Sequence, residues 1–147
     1  MAKLNDTKQL TLDGAKAMGE VAIAEATKNG WGVAVTVVDA GGNPLYLARM
    51  ETAPVASYIG ATSKAWTAAT FGRSTKMLDD AIASGRTQLL AFAQALPVQG
   101  GLPITVGGVT IGGIGVGGAT SEEDEQCSQA GIDALGTKLN APRTGRP

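Results

Sequence analysis

The chain has 147 residues, 44% of them hydrophobic, with 12 basic against 13 acidic side chains and no histidine. That length suits one domain able to bury about two-thirds of the surface its unfolded chain exposes, so it needs neither disulfides nor a metal to fold. The near-neutral charge, with both signs interspersed, lacks the electrostatic footprint of a nucleic-acid or anionic-membrane partner, and the missing imidazoles remove the usual zinc sites and Ser-His-Asp triads.

The first ten residues, MAKLNDTKQL, lack the unbroken apolar core of a signal peptide, and no apolar run approaches the roughly eighteen residues of a membrane span, so a cytoplasmic protein is expected. Residues 11–29 place Leu12, Ala15, Val21, Ala22 and Ala26 at helical spacing, with Gly30 as the C-cap. Residues 31–39, WGVAVTVVD, are nearly continuous in apolar groups and read as a strand covered on both faces. A turn at residues 40–43 (AGGN) leads to a second strand at residues 44–50 (PLYLARM), which makes a hairpin.

Residues 55–71 form a helix built on small side chains, Ala61, Ala65, Ala68 and Ala69, which lets it approach a neighbour closely; Gly72 ends it. Ser74 or Thr75 caps a further helix to Ala83, bounded by Gly85, and residues 86–96 are another short helical candidate. Residues 100–119, GGLPITVGGVTIGGIGVGGA, mix β-branched side chains with glycine and read as a second hairpin, residues 104–106 and 109–116, turning at Gly107-Gly108, where φ must be positive. Glycines at 112, 113, 115, 117 and 118 weaken a strand unless something lies close against it, either a helix or neighbouring subunit, or a ligand on the bare strand. Ser121-Glu122-Glu123-Asp124 opens a last helix to about Leu139; its carboxylates suit the helix dipole, so no metal site is read there. Residues 1–139 are expected to form a single domain and residues 140–147 a flexible tail.

The polar groups placed to converge are Asp39, Arg49, Glu51, Ser57, Lys64, Thr67 and Arg73, at the junction of the central strands with the helix that follows. Lys64 lies among small and apolar residues, where an ammonium must reach water or a carboxylate. One reading is an ion pair to Glu51 or Asp39. The other is a pocket in which Arg49 and Lys64 hold a ligand carboxylate and Glu51 moves a proton, the guanidinium fork suiting a carboxylate. Cys127, with no histidine to activate it, reads as a small buried hydrophobe.

The ordered blocks VAVTVVDAGGNPLYLARM, SKAWTAATFGRST, GGLPI, VGGVTIGGIGVGGA and EEDEQCSQAG resemble the GlcG/HbpS family, small proteins that also occur as the C-terminal domain of some PduO adenosyltransferases. The resemblance spans residues 10–139 and takes in Asp39, Arg49, Lys64, Thr67, Gly101 and Gly115; Glu51 stands where aspartate is common, and Gly117 where serine is usual, which enlarges the space beside the hairpin. It implies an α+β, profilin-like fold, a five-stranded antiparallel sheet sandwiched between helices, assembled into dimers, tetramers or octamers. The fifth strand is expected near residues 96–99. It also implies association with haem or with catabolism of small organic acids, and the missing imidazole axial ligand counts against haem. Two functions follow: binding of a small molecule, haem included, in a cleft between subunits, with Asp39, Arg49, Lys64, Thr67, Arg73 and Gly115 around it; or cofactor-independent lyase or hydrolase chemistry on a small carboxylate, with Glu51 and Lys64 catalytic. An assembly protein with no pocket is a third.

Overall fold

A computed structural model describes residues 2–139. Residues 140–147, expected as a tail, lie outside the described residues. The elements are helix α1 (Leu12–Asn29), strands β1 (Ala34–Asp39) and β2 (Pro44–Arg49), helices α2 (Ser57–Phe71) and α3 (Thr75–Ala83), a 3-10 turn at Thr87–Ala91, strands β3 (Gly101–Val106) and β4 (Val109–Gly117), and helix α4 (Ser121–Leu139). The four strands form one antiparallel sheet in the order β2-β1-β4-β3. Helix α2 lies on one face, and α1 and α4 lie on the other.

Local chemistry accounts for most boundaries. The Thr11 hydroxyl accepts the Gly14 N–H at 3.0 Å at the start of α1, and Gly30, at φ 76°, closes it. Ser74 caps α3 in the same way through the Met77 N–H. Gly107 and Gly108, at φ 57° and 78°, make the tight turn between β3 and β4. Thr120 and Glu123 form a reciprocal capping box at α4, one residue earlier than the sequence suggested.

The sheet has four strands rather than five. Residues 96–99 carry no strand because no ladder takes their N–H groups: the Leu96 N–H donates to the Thr67 hydroxyl at 2.9 Å, the Gln99 N–H to Asp79 at 3.0 Å and the Val98 N–H to the Leu96 carbonyl at 2.9 Å, while Pro97 has none to give. The helical candidate at residues 86–96 shrinks to the 3-10 turn for want of buried apolar groups.

The face toward α1 and α4 holds the main core, with Met18, Val33, Val35, Val37, Ile114, Val116 and Cys127 fully buried, each larger side chain contributing roughly 1.5–3 kcal/mol. The other face is built differently. Along β4, Gly113, Gly115 and Gly117 lie beneath the backbone of α2: a Cβ on Gly115 would run into the Ala61 carbonyl, and one on Gly117 would sit 2.7 Å from the Ser57 carbonyl oxygen. The glycines therefore admit a helix, not a ligand, and the space expected beside Gly117 is filled by α2.

Candidate functional site

Helix α2 has two unlike flanks, and both follow from its seat over β4. A helix with side chains is about 10 Å across and neighbouring strands lie about 4.8 Å apart, so α2 roofs β4 and β1 and leaves the outer strand β2 beyond its edge.

On the β3 side the flank is closed and polar. The Lys64 ammonium, on a residue 5% exposed, donates to Asp124 Oδ2 at 2.9 Å and to the Val116 carbonyl at 3.0 Å. Asp124, 2% exposed on α4, also accepts the Ala119 N–H through Oδ1 at 3.0 Å. Burial holds the Asp124 carboxyl above its usual range, a rise that the Lys64 ammonium and the Ala119 N–H oppose without cancelling. Around the pair, the Ser128 hydroxyl donates to the Gly100 carbonyl at 2.7 Å, and the Thr75 hydroxyl accepts the Gly101 N–H at 2.9 Å. A side chain at Gly100, where φ is 134°, would meet the Lys64 ammonium at 2.8 Å. This network ties α2, α4 and the start of β3 together and leaves the ammonium no room for a substrate.

On the β2 side the flank is open. Thr36 of β1 shares a hydroxyl hydrogen bond of 2.9 Å with Thr62 of α2, which fixes the face of the sheet that alternate residues share. Cross-strand pairing of Thr36 with Leu47 and of Ala34 with Arg49 puts Leu47 and Arg49 on that same face. Tyr58 and Trp66 lie one turn to either side of Thr62, on the same line along the helix. The result is a shelf edged by Leu47 and Arg49 of β2 on one side and Tyr58, Thr62 and Trp66 of α2 on the other, with Ala34 and Thr36 fully buried beneath it. Leu47 is 47% exposed and Tyr58 42% exposed, and Val55, just before α2, and Ile59, in its first turn, are exposed as well. Among the described residues Arg49 has no ion-pair partner.

The other expected site residues disperse. Lys64 pairs with Asp124, not with Glu51 or Asp39, and it points away from Arg49, so the two cations share no pocket. Asp39 shapes the β1–β2 turn, its Oδ1 accepting the Gly41 and Asn43 N–H groups at 3.0 and 2.9 Å. Thr67 is buried, its hydroxyl donating to the Ser63 carbonyl and accepting from Leu96, and Gly115 lies under Ala61 and Ala65. Neither faces an open site. Glu51 is exposed in the turn after β2, and Arg73 is exposed between α2 and α3. Cys127 is fully buried, and burial, reinforced by the nearby Asp124, pushes its thiol up to about 12. Sequence reading missed Asp124 and Ser128. A signal for both was present: Asp124, Cys127, Ser128 and Gly131 fall on one face of α4, which marks Asp124 as the inward carboxylate of its cluster.

The fold is an α+β sandwich in which a four-stranded antiparallel sheet separates one helix from two. The chain matches the model of the family described as haem degrading protein HbpS-like over residues 10–133, and it belongs to that family. It is similar to a double mutant of HbpS from Streptomyces reticuli, with 37% identity and a TM-score of 0.83 over 90% of each chain. It is also similar to PduOC solved as a heme complex, with 28% identity and a TM-score of 0.78 over 86% of this chain and 95% of that one. Protein GlcG of Escherichia coli K12 is 41% identical over 85 residues, 57% of this chain and 63% of GlcG, so the match spans less than two-thirds of that relative. No described helix is long and apolar enough to cross a membrane.

Proposed function

We propose that this chain binds a small molecule on the open flank of α2, in a cleft that a second copy of the chain completes, with haem as the ligand its relatives nominate. The observation that carries the reading is the shelf: exposed Leu47 and Tyr58 beside an Arg49 that has no acidic partner among the described residues. Kinship with a protein solved as a heme complex supports it.

The residues fit haem in body and leave the choice of iron ligand narrow. Leu47, Tyr58 and Trp66 supply apolar surface for a porphyrin plate, and the Arg49 guanidinium suits a propionate. Lys64 is taken by Asp124, and Cys127 is buried with its thiol held protonated, so neither is free for iron. The Thr62 hydroxyl is engaged with Thr36, which leaves the Tyr58 phenol as the oxygen donor on the shelf. Bound haem would supply redox-active iron; the chain's own part is to hold the plate, orient its carboxylates and exclude water.

Titration of the purified protein with hemin tests the reading. The expected result is a stoichiometric Soret band that survives gel filtration, on a species larger than the monomer by light scattering. Hemin that elutes apart from the protein overturns it, and turnover of a small carboxylate by that same protein would move the assignment to lyase or hydrolase chemistry with Glu51 as base.

A further inference from the structure

Resting on the placement of the ligand on the open flank, we infer that this site selects planar ligands that carry a carboxylate, and that Arg49 alone is the anchor for that group. Three observations converge on it. First, the register that pairs Ala34 with Arg49 puts the arginine on the sheet face that α2 packs against, but on β2, the strand that α2 leaves uncovered, two residues from exposed Leu47. Second, the chain's described ion pairs, Lys16–Glu20, Lys28–Glu25, Lys64–Asp124 and Lys76–Asp80, leave Arg49 out. Third, the carboxylates nearest along the chain do not compete: Asp39 is spent on the Gly41 and Asn43 N–H groups, and Glu51 lies past the end of β2 in an exposed turn.

An uncommitted guanidinium on the same strand face as Leu47, across from the α2 flank that carries Tyr58, offers a bidentate contact at one end of a surface that otherwise binds by area. The flat body lies against the apolar groups, and the carboxylate sets its orientation. Lys64, the second cation of a two-point clamp, is removed from this site by its buried pairing, so recognition depends on a single charge.

Protoporphyrin IX and its dimethyl ester share the same plate and differ only in free carboxylates, so the pair isolates the anchor. Binding is followed through quenching of tryptophan fluorescence, Trp66 standing at the edge of the shelf. The wild-type protein is expected to bind the diacid about tenfold more tightly than the diester, Arg49→Gln to erase that preference, and Arg49→Lys to retain part of it, since lysine keeps the charge and loses the fork. Equal affinity for diacid and diester in the wild type, or an unchanged preference in Arg49→Gln, overturns the inference. Hemin bound stoichiometrically but independently of residue 49 defeats the anchor and leaves the proposed function standing. Diacid held through Arg49 with no hemin Soret band defeats the haem assignment and keeps the anchor. Failure of the protein to bind hemin, diacid and diester alike defeats both.

Discussion

The two flanks of α2 carry one cation each and treat it in opposite ways. Lys64, facing β3, is sealed at 5% exposure against Asp124, whereas Arg49, facing the same helix from β2, is exposed and has no ion partner among the described residues. The difference is geometric before it is chemical. Glycines 113, 115 and 117 draw α2 down onto β4, which buries everything toward β3 and, because a helix spans little more than two strands, leaves β2 uncovered. Charge on the closed side stabilises the fold as part of a satisfied network; charge on the open side is free to meet a ligand. A cation's residue type therefore says less about its task than the strand it faces.

The closed flank breaks with the largest effect. Asp124→Asn or Lys64→Met leaves one buried charge without its partner, and each is expected to lower stability by about 3–5 kcal/mol in urea denaturation. The double variant Lys64→Met/Asp124→Leu should recover most of that loss. If the singles prove neutral, the closed flank is not what holds α2 to α4. Gly115→Val tests the cause of the asymmetry itself: its side chain must displace the Ala61 carbonyl, at an expected cost of about 2–3 kcal/mol or more, and a stable variant with unchanged core packing would show that α2 does not rest on β4 as described. Cys127 reports on the same layer. Its buried, protonated thiol should resist alkylation in the native protein at pH 8 and react at the rate of unfolding, while prompt labelling of folded protein would mean that α4 opens locally. The smallest expected effect is on the open flank, where Arg49→Gln should change stability by no more than about 0.5 kcal/mol.

Much of this contrast was legible in the sequence, and the rest was hidden for identifiable reasons. Caps at Gly30, Gly72 and Ser74, the Gly107-Gly108 turn and the close approach of a helix to the glycine strand are local chemistry, and each stands where the residues put it. The start of β3 was misplaced because Gly101 and Pro103 disfavour a strand in isolation, and only pairing with β4, Gly101 against Gly115, makes one. A fifth strand was expected from residues that instead give their N–H groups to Thr67 and Asp79. The partner of Lys64 lies 60 positions away, on a helix whose acidic start had a sufficient local explanation in the dipole. Arg49 was singled out as a cation at the junction of strand and helix, but its pairing with Lys64 could not be judged without knowing which side of α2 each faces.

The proposed division of labour puts ligand recognition and structural integrity on opposite flanks of one helix. Its most direct test measures hemin affinity and urea stability together in Arg49→Gln and Asp124→Asn, under conditions where both remain folded. The expected result is a crossed one: Arg49→Gln keeps wild-type stability and loses affinity by about tenfold, while Asp124→Asn loses stability and binds with wild-type affinity. Loss of affinity in folded Asp124→Asn, with Arg49→Gln binding as the wild type does, would place the ligand on the closed flank and contradict the account.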